Sequence, residues 1–178
     1  MLIGLCGRPQ SGKTEVRRIL EHDFGFKTVC SKQLLYSFSS LVTNLPAEKF
    51  YKQEYKNETF RGRTHRQITG TIGNAIEELF GDSYLVDRSV ADLDLSAGNY
   101  VVDSLRKGQT NNFRGWVVEV VSDRGFDTGN SFDLYDRENI NIQLRNNSNF
   151  SELEYRVEDM IEHLDTSDMK TNSHRLIR

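Results

Sequence analysis

The sequence predicts an α/β protein, a three-layer αβα sandwich around a central parallel sheet. Three observations carry this. Apolar runs of strand length alternate with segments whose apolar residues recur at helical spacing, the pattern of strands joined by crossover helices. The first such run, Leu2-Ile3-Gly4-Leu5-Cys6, passes through a glycine-rich loop directly into an amphipathic segment. The chain has 178 residues, enough for one sizeable core, and no apolar stretch approaches membrane-spanning length.

The elements follow in order. After the loop, Val16, Ile19 and Leu20 form one apolar stripe, with Arg17 and Arg18 on the other side. Gly25 stops that helix, and Phe26 to Cys30 read as a second strand. Ser31 is the expected N-cap of the next helix, with a core face of Leu34, Leu35, Phe38, Leu41 and Val42; Pro46 closes it. Residues 45–63 break the rhythm: Phe50, Tyr51, Tyr55 and Phe60 lie among charges, as in a mobile, partly helical insertion on the substrate side or a plain surface excursion. A long helix is expected from Thr64 to Phe80, with Ile68, Ile72, Ala75, Ile76, Leu79 and Phe80 inward, then one capped by Asp82 and reaching Leu93. Tyr100 to Asp103 and Trp116 to Val121 read as buried strands. Residues 122–139 form a polar, lid-like loop, and Ile140 to Leu144 the last strand. A Ser151/Glu154 capping box opens a final helix that buries Leu153, Val157, Met160, Ile161 and Leu164. One domain over residues 1–165 and a polar, frayed tail over 166–178 result.

Composition narrows the function. A net charge of −3 and a pI near 5.8 argue against a nucleic-acid partner, which calls for a basic face. Cys6 and Cys30, one ending each of the first two strands, read as buried thiols. With no leader or membrane pattern, the cytoplasm is the expected compartment, the host's if the chain is phage-encoded.

The sharpest motif is Gly7-Arg8-Pro9-Gln10-Ser11-Gly12-Lys13-Thr14, a G-x-x-x-x-G-K-[ST] phosphate-binding loop (P-loop) between strand and helix. Gly7 and Gly12 let backbone N–H groups approach a phosphate, with Gln10 and Ser11 between them. Lys13 reaches the terminal phosphates, Thr14 offers a hydroxyl to Mg²⁺, and the helix start adds its positive end. These residues are the expected ATP-binding set. Phosphoryl transfer then calls for cations and a metal-organising acid. Asp103, ending a buried strand, is the candidate metal ligand, or else a strand-end cap. Arg106 follows it and could grip a phosphate. Arg61-Gly62-Arg63-Thr64-His65-Arg66-Gln67 is the densest basic cluster and lies at a helix N-terminus, where cations are unfavourable without an anion. It reads as a site for an acceptor phosphate, or else a solvated face or a nucleic-acid contact; His65 alone reads as a surface residue. Arg124 and Arg137, in the 122–139 loop, could close over the transferring group.

Together these segments resemble the phage-type deoxynucleoside monophosphate kinases, a branch of the P-loop nucleoside monophosphate kinases. The likeness rests on Ile3 through Thr14; on Arg63-x-x-x-Gln67-x-x-Gly70-Thr71 with Asp82-Ser83-Tyr84-Leu85-Val86; on Tyr100 through Arg106; and on Leu144-x-Asn146-Asn147-x-x-Phe150-Ser151-x-Leu153. It implies an adenylate-kinase-like fold with a small substrate-side insertion and a short lid. The activity it implies is transfer of the γ-phosphoryl group of ATP, with Mg²⁺, to a (deoxy)nucleoside 5′-monophosphate. Lys13, Arg106 and Arg124 would be catalytic, Arg63, Arg66, Gln67, Gly70, Asp103 and Arg106 would hold the substrate, and Thr14 and Asp103 the metal. Gln109, Thr110 and Asn111 replace an expected Glu, and Asn74 stands where relatives often carry Arg. Partners would be small-molecule nucleotides, with a homodimer left open. A dephospho-CoA kinase-like enzyme, for which Asp103-Ser104-Leu105-Arg106 also fits, and a nucleotide-binding module without transfer are the alternatives. A GTPase-like switch is disfavoured, since neither Asn-Lys-x-Asp nor Asp-x-x-Gly is present.

Overall fold

The structure is a computed structural model and describes residues 1–127, 134–166 and 175–177. Where the sequence suggests one domain, the chain divides into two compact units, Met1–Val29 with Leu93–Arg178, and Cys30–Asp92.

The first unit holds a parallel sheet. Its strands are β1 (Leu2–Cys6), β2 (Lys27–Val29), β5 (Tyr100–Val102), β6 (Trp116–Val121), β7 (Ile142–Arg145) and β8 (Arg175–Ile177), in the order β2-β5-β1-β6-β7-β8. β1 lies between β5 and β6, with Gly4 opposite both Val102 and Val117, and all five of its residues are buried. Its unbroken apolar run is what a strand covered on both faces requires. Helices α1 (Lys13–Asp23) and α6 (Phe150–Thr166) share one core with the sheet: Val16, Ile19 and Leu20 meet Leu153, Val157, Met160, Ile161 and Leu164, the stripes that the spacing predicts. Asn149, and not Ser151, caps α6, its Oδ1 accepting the Glu152 N–H at 2.9 Å. The tail expected to fray contributes β8, which pairs in parallel with β7; residues 167–174 and 178 lie outside the described residues.

The second unit contains α2 (Gln33–Thr43), α3 (Glu48–Tyr51), a 3-10 turn (Gln53–Tyr55), a hairpin of β3 (Thr59–Phe60) and β4 (Arg63–Thr64), α4 (His65–Phe80) and α5 (Tyr84–Val90). The region read as an insertion or excursion is therefore built from short elements. Phe50 is buried, 5.2 Å from the His65 ring, and His65 itself is buried with Nδ1 3.0 Å from the Tyr55 carbonyl oxygen. His65 is thus an anchor of this unit, not the surface residue expected.

Helix α2 departs most from its pattern. Leu35 is buried, but Phe38, Leu41 and Val42 are 44%, 78% and 69% exposed. The row that turns inward is Leu35, Ser39 and Thr43. The Ser39 hydroxyl donates to the Leu35 carbonyl at 2.9 Å and the Thr43 hydroxyl to that of Ser39 at 2.6 Å. Hydroxyls that satisfy themselves on the preceding turn can be buried without an orphaned polar group. Leu35 packs with Ile76 and Leu85, while Leu79 and Phe80 of α4, expected inside, are exposed. No described helix is long and apolar enough to cross a membrane.

Candidate functional site

The glycine-rich loop runs from the end of β1 into α1. Gly7 and Gly12 have φ of 138° and 99°, a left-handed region that favours glycine, and Gln10 joins them at 63°. A Cβ on Gly7 would collide with the Val120 carbonyl oxygen, and one on Gly12 with the Asn146 carboxamide. The Lys13 ammonium donates to the carbonyls of Gly7 at 2.8 Å and Arg8 at 2.9 Å, so it is held over the loop. Ser11 Oγ is buried without a hydrogen-bond partner among the described residues.

Beside the loop lies a cavity of about 690 Å³, lined by Gln10, Lys13 and Thr14 on one side and by Arg124, Asn146 and the start of α6 on the other. Phe150 and Leu153 give it an apolar wall next to polar Ser148 and Asn149. Such a mixture, opening onto a phosphate-binding loop, suits a nucleoside triphosphate.

Asp103 directly follows β5, whose neighbour β1 feeds the loop. Its N–H is 3.4 Å from the Val29 carbonyl oxygen, and its Oδ1 is buried without a partner among the described residues. Leu105 donates to the Leu5 carbonyl at 2.7 Å, tying the Arg106 segment to the end of β1. The Gln109 side chain accepts the Arg106 N–H at 3.0 Å and so shapes this turn. No group of three or more His, Cys, Asp or Glu side chains forms a metal site among the described residues. Thr14 and Asp103 are hard oxygen donors, which fits Mg²⁺, an ion that takes one or two protein oxygens together with substrate phosphates.

The 122–139 segment is firmly held at both ends; residues 128–133 of the expected lid lie outside the described residues. Arg124 lines the cavity, with Nε 3.4 Å from Ser122 Oγ and an NH₂ group 3.4 Å from the Asn146 carbonyl oxygen. Arg137 is ion-paired with Glu119 of β6 at 3.1 Å. Glu119 is fully buried, the one acid in a strand whose other residues are apolar. It also accepts from Tyr135 Oη and, at 2.6 Å, from Gln143 Nε2. Burial and the bond to this carboxylate push the Tyr135 hydroxyl up to about 12. The Arg106 turn meets the same returning arm, Gly108 N–H donating to Asp136 Oδ2 at 2.6 Å and Lys107 N–H to the Leu134 carbonyl at 2.8 Å. Arg137 and Tyr135 line a second, smaller cavity of about 120 Å³ with Arg8 and Pro9. Sequence reasoning did not pick out Glu119, Tyr135 or Gln143; the available signal was the lone acid of Trp116-Val117-Val118-Glu119-Val120-Val121. A charge that deep must be paired.

The loop, Asp103, Arg106 and Arg124 all belong to the first unit, and Arg124 lines the cavity beside the loop. Arg63, Arg66, Gln67 and Gly70 belong to the second unit, around the start of α4. Arg63 and Arg66 are exposed. Gln67 is engaged in a capping box: its Oε1 accepts the Thr64 N–H at 2.9 Å and its N–H donates to Thr64 Oγ1 at 3.2 Å. The Gln67 carboxamide oxygen is thus used in the cap, and Arg63 and Arg66 are the two cations of this set.

No protein-family model matches the chain. No curated protein matches it either. Among solved structures it is similar to dephospho-CoA kinase from Campylobacter jejuni, with a TM-score of 0.53 at 11% identity over 91% of this chain and 96% of that one. It is similar also to TT1252 from Thermus thermophilus, with a TM-score of 0.52 at 15% identity over 92% of this chain and 97% of that one. The likeness extends over nearly the whole chain and establishes the α/β fold with its central parallel sheet.

Proposed function

We propose that the chain is an ATP-dependent kinase that transfers the γ-phosphoryl group to a (deoxy)nucleoside 5′-monophosphate, giving the diphosphate. The observation that carries the donor half is Lys13, fixed over the loop carbonyls at the edge of a cavity of about 690 Å³. The loop amides and Lys13 would neutralise the donor phosphates, and Arg124 with Phe150 would flank the base. Thr14 and Asp103 would hold Mg²⁺, which supplies charge neutralisation across the phosphates when bound. The acceptor half rests on the resemblance: Arg63 and Arg66 would grip the monophosphate, and Arg106 the group in transfer. A phosphate oxygen is already ionised at neutral pH, so the attack needs no general base.

A second reading is favoured by one observation. The Campylobacter jejuni neighbour is named a dephospho-CoA kinase, and a kinase whose acceptor is a hydroxyl would benefit from a base. Asp103, with its unpartnered Oδ1, could serve as one. A panel of ribo- and deoxynucleoside monophosphates and dephospho-CoA, scored for ADP release, separates the two. Turnover confined to monophosphates supports the first reading, and turnover confined to dephospho-CoA the second. ATP binding without turnover on any acceptor would leave a nucleotide-binding module.

A further inference from the structure

We propose that Asn146 is a positioning residue for the donor phosphates, acting through the peptide plane between Ser11 and Gly12; this rests on the loop's binding a triphosphate. Asn146 directly follows β7 and is only 5% exposed. Its backbone N–H donates to the Val121 carbonyl at 2.7 Å, which fixes it to the end of β6. Its side-chain Nδ2 donates to the Ser11 carbonyl at 3.0 Å, and this bond is buried. The carboxamide stands where a side chain on residue 12 would have to go.

The consequence follows from peptide geometry. In a planar trans peptide the carbonyl of one residue and the N–H of the next point in opposite directions. Holding the Ser11 carbonyl toward Asn146 therefore turns the Gly12 N–H the other way. That N–H is one of the amides a phosphate-binding loop presents to its anion. With φ of 99° and no Cβ, Gly12 offers little resistance of its own to rotation of this plane. The Asn146 hydrogen bond supplies the missing constraint, so less orientational freedom is lost when phosphate arrives.

The same turn also holds the start of the 122–139 segment. Arg124 donates to the Asn146 carbonyl at 3.4 Å, and Asn147 Oδ1 accepts the Asp123 N–H at 2.8 Å. Asn147 bonds the Asp123 N–H and not the loop, which makes it the natural control.

The test compares Asn146→Ala, the near-isosteric Asn146→Asp and Asn147→Ala, measuring affinity for ATP and for adenosine by titration, with melting temperature alongside. Adenosine occupies the cavity without phosphates. The expected result is an ATP affinity lowered about tenfold in Asn146→Ala and further in Asn146→Asp, whose carboxylate cannot donate to Ser11. Adenosine affinity should stay within about twofold, and Asn147→Ala should keep both. Equal losses for ATP and adenosine would mean a merely structural residue and overturn the proposal, as would unchanged ATP affinity in both Asn146 variants. If Asn146→Ala does not fold, Asn146→Asp alone decides by the same ratio. Wild-type protein that fails to bind ATP at all would instead sink the donor-site reading.

Discussion

The two halves of the proposed site hold their polar groups in opposite ways. In the first, the fold fixes several groups in advance: Lys13 on two carbonyls, the Ser11 carbonyl on Asn146, the Arg106 turn on Gln109. In the second, the cations around the β3–β4 hairpin and the start of α4 stand in solvent, while the polar groups that bond, Thr64 with Gln67 and His65 with Tyr55, do so to shape the backbone. A site whose geometry is formed in advance spends little ordering energy on its ligand. One that offers exposed cations must order them as the ligand binds. The proposed donor half is a mould; the proposed acceptor half is a set of reaching groups.

This contrast can be broken or sharpened. The largest effect expected is on Lys13→Ala, which should lower kcat/KM by about a thousandfold, because it removes a charge already in place for the transition state. Circular dichroism and melting temperature should stay close to wild type. Near-normal turnover in that variant would end the kinase reading.

Next comes Glu119→Ala. It deprives Gln143 and Tyr135 of their shared acceptor and releases Arg137, and should cost about 2–3 kcal/mol, below the roughly 3–5 kcal/mol for breaking a fully buried pair because Arg137 is itself 61% exposed. Urea unfolding measures this, and a change below about 0.5 kcal/mol would show that the returning arm is held by other contacts. Glu119→Gln, which keeps the shape, should cost less.

The smallest effect is expected for Arg63→Ala: a KM for the monophosphate raised about tenfold, with the KM for ATP unchanged. The loss is modest because an exposed cation contributes little until it is ordered. A rise in the ATP value instead would move Arg63 to the donor side.

Much of the first unit was legible because its signals are local. The run from Leu2 to Cys6, the stripe Val16-Ile19-Leu20 and the stripe from Leu153 to Leu164 each announce their face within a few turns, and each is buried as its spacing predicts. Helix α2 shows the limit. Its apolar residues outnumber its inward positions, and hydroxyls able to bond the preceding turn took the buried row in place of Phe38, Leu41 and Val42. The site divides the same way. Gly7 to Thr14 is a contiguous motif and readable, whereas Glu119 meets Tyr135 and Gln143 across 16 and 24 residues, a pairing that no local pattern encodes. His65 was obscured by its neighbours, since a ring flanked by Arg63 and Arg66 reads as part of a basic face until Phe50 is seen against it.

Cys6 carries a practical consequence. Its thiol is buried at the end of β1, and burial, with the Glu119 charge across the strand pair, pushes it well above the ordinary thiol range. In the native state it is closed to alkylating reagents, which require the thiolate. The rate at which Cys6 becomes labelled is therefore a clock for how often the sheet opens just below the glycine-rich loop. A nucleotide bound at the proposed site would stabilise the closed state and slow that clock in proportion to its occupancy.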